Sequence, residues 1–153
     1  MTTHRPREQS FGRWISLLHR DFITYVTREY EHLGIGPGQF LLLAELYIED
    51  GLSQEELTER ARIDKANTAR GLGRLEREGY VRRERDQADR RVNRVFLTPK
   101  AMTVQDEFSA VLNRWTEILT AGFSDDERVA MLDGLQRLAR NADANVRGAR
   151  EES

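Results

Sequence analysis

The segment SQEELTERARIDKANTARGLGRLEREG, residues 53–79, has the pattern of two short helices separated by a break. Ser53 and Glu56 have the spacing of a capping box, in which each side chain accepts a hydrogen bond from the other residue's backbone N–H. Asp64 is a good N-cap for the second helix, which Gly79 ends. The pattern predicts a helix-turn-helix, whose second helix enters the DNA major groove. The side chains expected to fix the angle between the helices are Leu57, Ala61, Ile63 and Leu72.

The second helix carries side chains suited to contact with DNA. Arginine and asparagine can each bind a base edge in a bidentate fashion, so we assign Arg70 to guanine and Asn67 to adenine. We assign Lys65 and Arg74 to phosphates, which would make the affinity depend on salt. Taken singly, each residue has the alternative of being an ordinary solvated helix residue. The predicted DNA contacts of this helix are Lys65, Asn67, Thr68, Arg70 and Arg74.

A β-hairpin with a basic tip is predicted to follow. Residues 80–85 and 92–97 are rich in Val, Tyr and Phe and enclose a turn-prone sequence. Arg90 and Arg91 at the tip could enter a narrow minor groove, where negative potential is concentrated. Asp89 lies two residues before Arg91, and we expect it to orient that guanidinium by a fork-type hydrogen bond. The alternative for Asp89 is a solvent-exposed turn residue.

Amphipathic helices are predicted on both sides of this central segment. Apolar residues recur every three or four positions over residues 10–33, which predicts a long N-terminal helix. Thr98 and Pro99 suit the start of a helix after the hairpin. The other predicted segments are a glycine-rich connector at residues 34–38, a short buried helix at residues 39–50, a helix to about residue 120, and a last helix that begins at Ser124 and ends in a polar, fraying tail at residues 145–153.

The fold class that we predict is mainly α with a small β-hairpin wing, a winged helix-turn-helix flanked by long terminal helices. The terminal helices have apolar stripes with little else to cover them, which favours burial between subunits, although they could also form an intrachain core. We therefore divide the chain into a DNA-binding domain at residues 37–98 and a helical dimerisation region at residues 1–36 and 99–153. The predicted interface residues are Phe11, Ile15, Leu132 and Leu135.

Charge is distributed unevenly along the chain. The formal net charge is only −2, yet residues 60–94 contain twelve Lys/Arg against six Asp/Glu. A basic segment between acidic flanks favours double-stranded DNA as a partner, although a charge run can also be a solvated face. The chain has no cysteine, which excludes disulfides and thiol redox sensing. The polar residues 1–9 and the short apolar run at residues 40–44 predict a cytoplasmic protein that does not enter a membrane.

Nothing in the sequence predicts catalysis. His4, His19 and His32 are far apart, with no metal-binding His-x-x-x-His pair and no nucleophile elbow. We therefore predict no enzyme activity, no cofactor and no metal. Two other functions are open: a winged helix that binds protein, and a sequence-neutral architectural DNA binder. The cationic face disfavours the first, and base-reading residues such as Asn67 and Thr68 beside Arg70 disfavour the second.

Three motifs together resemble the MarR family of winged-helix regulators. They are the segment LEREGYV at residues 75–81, the triplet Asp89-Arg90-Arg91, and the segment LTPK at residues 97–100. The resemblance covers nearly the whole chain. It implies a homodimer with interlocked first and last helices, a recognition helix that begins near Asp64, and regulation of transcription, commonly repression, at a pseudo-palindromic operator. It also implies a small-molecule effector as a possible partner.

The chain departs from the family pattern at two kinds of position. Ala101 stands where the family often has glycine, and Gly71 and Gly73 stand in the recognition helix where the family has larger residues. A glycine inside a helix costs about 1 kcal/mol relative to alanine. Gly71 could allow close helix packing, or it could leave the recognition helix adaptable, and the sequence does not separate these two explanations.

Overall fold

The computed structural model describes the backbone of residues 7–151 and the side chains of residues 7–146. His4, with the rest of residues 1–6, lies outside the described residues, and so do residues 152–153. The predicted class is confirmed, because the chain is mainly helical with one two-stranded hairpin. Short 3-10 helices lie at Arg7–Gln9 and Glu31–Leu33. The main elements are α1 (Phe11–Glu29), α2 (Phe40–Ile48), α3 (Gln54–Ala61), α4 (Lys65–Arg77), β1 (Val81–Arg85), β2 (Asn93–Leu97), α5 (Pro99–Leu119) and α6 (Asp125–Glu151).

The chain forms two compact units, of which the first ends at Asn113 and the second begins at Arg114. The predicted division into a DNA-binding domain and a dimerisation region concerns an assembly of two chains. It stays a prediction, because one chain alone does not test it. Each helix within the described residues is too short or too polar to span a bilayer.

The core of the first unit combines aliphatic and aromatic side chains, and three tyrosines in or beside it donate to backbone carbonyls. Tyr30 stacks on Phe108 with ring centroids 4.8 Å apart, and its hydroxyl donates to the Phe108 carbonyl at 2.8 Å. Tyr47 donates to the Ala101 carbonyl at 2.6 Å, and burial raises the pKa of Tyr47 to about 12. Tyr80 likewise donates to the carbonyl of Leu33. These bonds satisfy hydroxyls that would otherwise be costly to bury, and they tie α5 to α2 and to the end of α1.

The predicted helix boundaries are confirmed where the sequence supplies a cap. The Ser53 N–H donates to Glu56 Oε2 at 2.7 Å and the Glu56 N–H donates to Ser53 Oγ at 3.1 Å, which completes the capping box of α3. Asp64 Oδ1 accepts the Asn67 N–H at 2.8 Å and caps α4. Gly79 follows α4 at a φ of +80°, a conformation that glycine adopts without strain.

The hairpin is joined to the helix-turn-helix by its second strand. Strands β1 and β2 are antiparallel, with Val81 opposite Leu97 and Arg85 opposite Asn93. The Val95 N–H also donates to the Leu52 carbonyl at 2.9 Å, beside the start of α3. The wing therefore extends from the same backbone framework that places the two helices.

Three details of the sequence-based prediction are corrected. Ala61 and Ile63 are only partly buried, and the inner face of α4 consists instead of Thr68, Gly71, Leu72 and Leu75. The first helix ends at Glu29 and is followed by a 3-10 turn rather than continuing to residue 33. The last helix does not give way to a tail at residue 145, because α6 extends to Glu151.

Candidate nucleic-acid interface

The outer face of α4 carries four of the predicted contact residues. Lys65, Asn67, Arg70 and Arg74 are exposed, whereas the opposite face of the helix is buried. This separation follows from the 3.6-residue period of the helix, because the buried residues Thr68, Gly71, Leu72 and Leu75 recur on one side. The structure thus presents one amide and three cations along a single helix.

Thr68 is the exception, and its predicted contact with DNA is wrong. Its side chain is fully buried, and its hydroxyl donates to the Asp64 carbonyl at 3.0 Å. The Thr68 oxygen also accepts from the Thr58 hydroxyl at 3.1 Å, which links α4 to α3. A threonine at this point of the helix-turn-helix joins the two helices and does not reach a base. Its place on the helix face with Leu72 and Leu75 is the signal that would have identified it.

The outer residues of α4 hold one another in place. The Asn67 amide donates to Asp64, and Arg70 Nη2 donates to Asn67 Oδ1 at 2.6 Å. Hydrogen bonds from the backbone and side chain of Asn67 hold the pKa of Asp64 below its usual range. Each bonded group keeps further capacity, because an amide has two N–H donors and a guanidinium has five. Asn67 and Arg70 are therefore oriented by these hydrogen bonds and keep donors for a further partner.

The predicted fork at the wing tip is present. Arg91 Nε donates to Asp89 Oδ1 at 3.0 Å and its Nη2 donates to Oδ2 at 3.1 Å. The Arg91 side chain is nevertheless 90% exposed, so that its free donors face solvent. These hydrogen bonds lower the pKa of Asp89. Arg90 is exposed beside it and has no partner among the described residues.

Sequence reasoning missed the cluster that anchors the wing, which consists of Arg94, Asp86 and the Gly51 carbonyl. Arg94 donates to Asp86 through Nε and to the Gly51 carbonyl through Nη1 at 3.0 Å. Asp86 also accepts the N–H groups of Ala88 and Asp89, at 2.8 and 3.0 Å. The hydrogen bond from Arg94, with these two N–H groups, lowers the pKa of Asp86 to about 2. The signal was an aspartate at the start of the turn with an arginine eight residues later.

Two surface depressions lie beside α4 and divide the predicted residues between them. A cleft of about 290 Å³ is lined by Lys65 and by Arg91 of the wing. A larger groove of about 510 Å³ is lined by Asn67, Arg70 and Arg74, together with the connector before α2. The structure thus brings Lys65 and Arg91 to one place, while the residues assigned to bases lie along the other groove.

Gly71 is explained by the packing of α4. A Cβ at this position would lie 2.6 Å from the Gly38 carbonyl oxygen and 2.7 Å from a Leu42 methyl group. Of the two explanations left open above, close packing therefore applies. At Gly73 a Cβ would meet only Arg77 Nη1 at 3.6 Å, an ordinary contact, so packing does not explain this glycine.

The residues predicted to form a dimer interface are exposed in this single chain. Phe11 and Ile15 in the first unit are each more than half exposed, and so are Leu132 and Leu135 in the second. Large apolar side chains at such exposure agree with burial by another chain. Their role stays a prediction, because the structure contains one chain only.

Within the described residues no group of His, Cys, Asp and Glu is arranged to hold a metal ion. His32 Nε2 lies 2.6 Å from Glu107 Oε1 and forms an exposed pair. His19 is exposed on α1.

Comparison with known proteins identifies relatives over most of the chain. The sequence profile of the MarR family matches residues 33–92. A MarR transcriptional regulator from Methanosarcina mazei superposes with a TM-score of 0.82 and 41% identity, over 86% of this chain and 94% of that one. The HTH-type transcriptional regulator TtmR of Methylorubrum extorquens is 37% identical over 82% of this chain and 58% of its own length. The uncharacterised HTH-type transcriptional regulator YybA of Bacillus subtilis is 26% identical over 84% of this chain and 86% of its own length.

One structural neighbour has a known small-molecule regulator. The Bordetella bronchiseptica protein BpsR, whose DNA binding is regulated by 6-hydroxynicotinic acid, superposes with a TM-score of 0.74 over 84% of this chain and 97% of that chain. Its identity is 22%, so this likeness concerns the fold alone.

Proposed function

Since this chain belongs to the MarR family, whose members are transcriptional regulators and not enzymes, we propose that it is a homodimeric repressor of a pseudo-palindromic operator. The observation that carries this proposal is the ordered outer face of α4, where Asp64, Asn67 and Arg70 are linked in series. Readout needs side chains held at defined positions, because a flexible arginine would lose conformational entropy on binding. A face ordered in advance is what sequence recognition requires.

The exposed residues divide into two roles in this proposal. Arg70 and Asn67 read base edges in the major groove, where a good bidentate pair contributes about 1–3 kcal/mol of discrimination. Lys65 and Arg74 bind phosphates and set the position of the helix. Arg90 and Arg91 enter the minor groove, with Asp89 holding the Arg91 guanidinium.

Dimer formation is part of the proposal because one recognition helix reads only a half-site. The exposed apolar residues Phe11 and Ile15 in the first unit, and Leu132 and Leu135 in the second, are the surfaces that we assign to the interface. A two-fold dimer would read half-sites about 34–36 Å apart, one turn of the DNA helix. The operator is therefore expected to be an inverted repeat.

Modulation by a small molecule is supported by the example of BpsR. An effector acts on DNA affinity only if it binds one arrangement of the two recognition helices better than another. We propose such an effector for this chain without assigning its chemistry. We also place the protein in the cytoplasm, where the chromosomal DNA of its bacterial and archaeal relatives lies.

The test is binding of the purified protein to an operator duplex, chosen by selection from random sequences, and to a scrambled duplex of equal length. Specific sites typically bind about a thousandfold or more tighter than non-specific DNA. We expect Arg70→Ala to reduce this ratio and Arg91→Ala to weaken the complex. Arg28→Ala, which removes an exposed arginine from α1, serves as the control for net charge. If selection yields no preferred sequence, the proposal of an operator is wrong and a protein partner becomes the better explanation.

A further inference from the structure

The cleft between α3, α4 and the wing has no role of its own in the function proposed so far, although two of its lining residues, Lys65 and Arg91, are assigned to DNA there. It is bounded by the first residues of α3 and α4 and by β2, so three separate elements converge on it. Its polar lining offers both charges and neutral hydrogen-bonding groups. The lining residues that matter here are Gln54, Glu55, Thr58, Lys65, Arg91 and Asn93.

The cleft has the donors that an anion requires. Lys65 is exposed and has no ion pair among the described residues. Arg91 is fixed by Asp89 through Nε and Nη2, which leaves three of its five N–H donors available. Gln54 and Asn93 add neutral amides, whereas the Thr58 hydroxyl already lies within hydrogen-bond distance of the Gln54 carbonyl and the Thr68 hydroxyl. Two cations from different elements thus face one small space.

The place of the cleft indicates which anion it meets. A recognition helix lies in the major groove and a wing lies in the neighbouring minor groove. The two grooves are separated by one sugar-phosphate strand, which must pass between α4 and the wing tip. The cleft lies between these two elements, because it is lined by Lys65 of α4 and by Arg91 of the wing.

We propose that this cleft binds one backbone phosphate of the strand between the two grooves. Lys65 and Arg91 bind it as cations, and Gln54 and Asn93 donate to it as amides. This refines the role given to Arg91 above, because Arg91 then meets the strand at the edge of the minor groove while Arg90 enters the groove. Glu55 lines the same cleft and is exposed, so its carboxylate repels the phosphate and holds the affinity below its maximum. The inference rests on the proposed function and adds to it a named phosphate site with an acidic residue that opposes binding.

A phosphate site and a base site respond differently to substitution. Phosphate contacts position the protein and carry no sequence information directly. A change in this cleft should therefore alter the affinity for an operator and for a scrambled duplex by the same factor. Each lost phosphate contact should also reduce the slope of log K against log salt by about 0.9.

The experiment measures binding of the full chain and four variants to the selected operator duplex and to the scrambled duplex, at several salt concentrations. Glu55→Gln should tighten both complexes about two- to fivefold, the size typical of one exposed charge interaction. Lys65→Ala and Asn93→Ala should weaken both complexes, and Lys65→Ala alone should reduce the salt slope. Glu31→Gln removes the same charge from an exposed residue outside the cleft and should have a smaller effect. Thermal unfolding of each variant confirms that it is folded.

The outcomes separate this inference from the proposed function. If both duplexes bind and Glu55→Gln changes the affinity no more than Glu31→Gln does, the inference of a phosphate site is wrong, whereas the proposed function as a regulator is unaffected. If Glu55→Gln tightens only the operator complex, the cleft contacts bases and the inference is also wrong. If the two duplexes bind equally, operator recognition fails, whereas the cleft is still judged by the Glu55→Gln result. Binding of neither duplex at low salt overturns both proposals.

A second measurement locates the phosphate. In a set of operator duplexes, each with one neutral methylphosphonate linkage, the gain from Glu55→Gln should vanish at one linkage in each half-site. A gain that persists at every linkage would show that Glu55 acts on the DNA as a whole and not on a bound phosphate.

Discussion

Single residues in this chain show which side-chain contacts can be assigned from the sequence alone. Asp89 and Arg91 are two positions apart, and the predicted fork between them is present. Thr68 was expected to read bases because hydroxyls can do so, but it faces inward and bonds to Thr58. The difference is one of direction: the sequence gives the side-chain type, whereas burial depends on which helix packs against that side. Only the neighbouring helix decides this.

The two glycines of α4 give a matched test of packing at the residue scale. Gly71→Ala should destabilise the protein by up to about 2 kcal/mol, because overpacking typically costs about 1–3 kcal/mol and the better helix propensity of alanine offsets about 1 kcal/mol of it. Gly73→Ala meets only an ordinary contact and should stabilise the protein by up to about 1 kcal/mol. Urea unfolding of the two variants measures both values. Equal changes in the free energy of unfolding, in the same direction for both variants, would contradict the close approach of Gly38 to α4.

At the scale of elements, the helices were predictable, whereas the anchoring of the wing had a sequence signal only in its Asp86–Arg94 pair. Capping residues such as Ser53, Asp64 and Ser124 mark the starts of α3, α4 and α6 from local pattern alone. The wing is fixed by Arg94, which contacts Asp86 and the distant Gly51 carbonyl. Contacts between segments 43 residues apart leave no local periodicity, and therefore they could not be found from the sequence.

Loss of the anchor should loosen the wing without removing a DNA-contacting group. In Arg94→Ala the Ala88 and Asp89 N–H groups, which donate to Asp86, should exchange with solvent faster. The affinity for DNA should fall, because the tip must then be ordered on binding. Hydrogen exchange and DNA binding measure the two effects. Arg83→Ala, which breaks an exposed pair with Glu76, is the matched control and should leave the exchange at the tip unchanged.

The same anchor should depend on pH. Hydrogen bonds lower the pKa of Asp86 from its usual 3.8 to about 2 in the folded chain, so its contribution to stability is complete above about pH 4. This contribution is lost as the pH falls towards 2, because the unfolded chain binds the proton first. We expect the melting temperature, measured at pH values from about 5 to about 2, to decline less for Asp86→Asn than for the unmodified chain. Parallel declines would mean that Asp86 is not bonded in solution.

At the scale of the whole molecule, the prediction of a dimer rests on what one chain leaves uncovered. The apolar residues of α6, including Leu132 and Leu135, are exposed although their pattern is that of a buried helix face. The pattern was visible in the sequence, yet sequence alone leaves open whether the same chain or a second chain covers it. Because these residues are exposed in the single chain, we favour their burial by a second chain.

A charge placed on this surface should separate the subunits. Leu135→Glu would bury an unpaired carboxylate from each subunit in the interface, at a cost of about 3 kcal/mol or more. The dissociation constant of the dimer should therefore rise by more than about a hundredfold. Gln136→Glu places the same charge on the neighbouring exposed residue and should leave the dimer intact. Analytical ultracentrifugation distinguishes the two. If the unmodified chain is monomeric, the proposal of a dimer is wrong. If the Leu135→Glu variant is still dimeric, the assignment of α6 to the interface is wrong.

The close packing of Gly71 also bears on how the DNA preference of this chain could be redesigned. The side of α4 that touches Gly38 and Leu42 tolerates no added atom, whereas the side that carries Asn67, Arg70 and Arg74 projects from the protein. Under the proposed function, substitutions on the outer side would alter the preferred operator without moving the helix. Packing and target preference are then assigned to opposite sides of one helix in this chain, and a designer seeking a new operator preference should vary residues 67, 70 and 74 while keeping residue 71 as glycine.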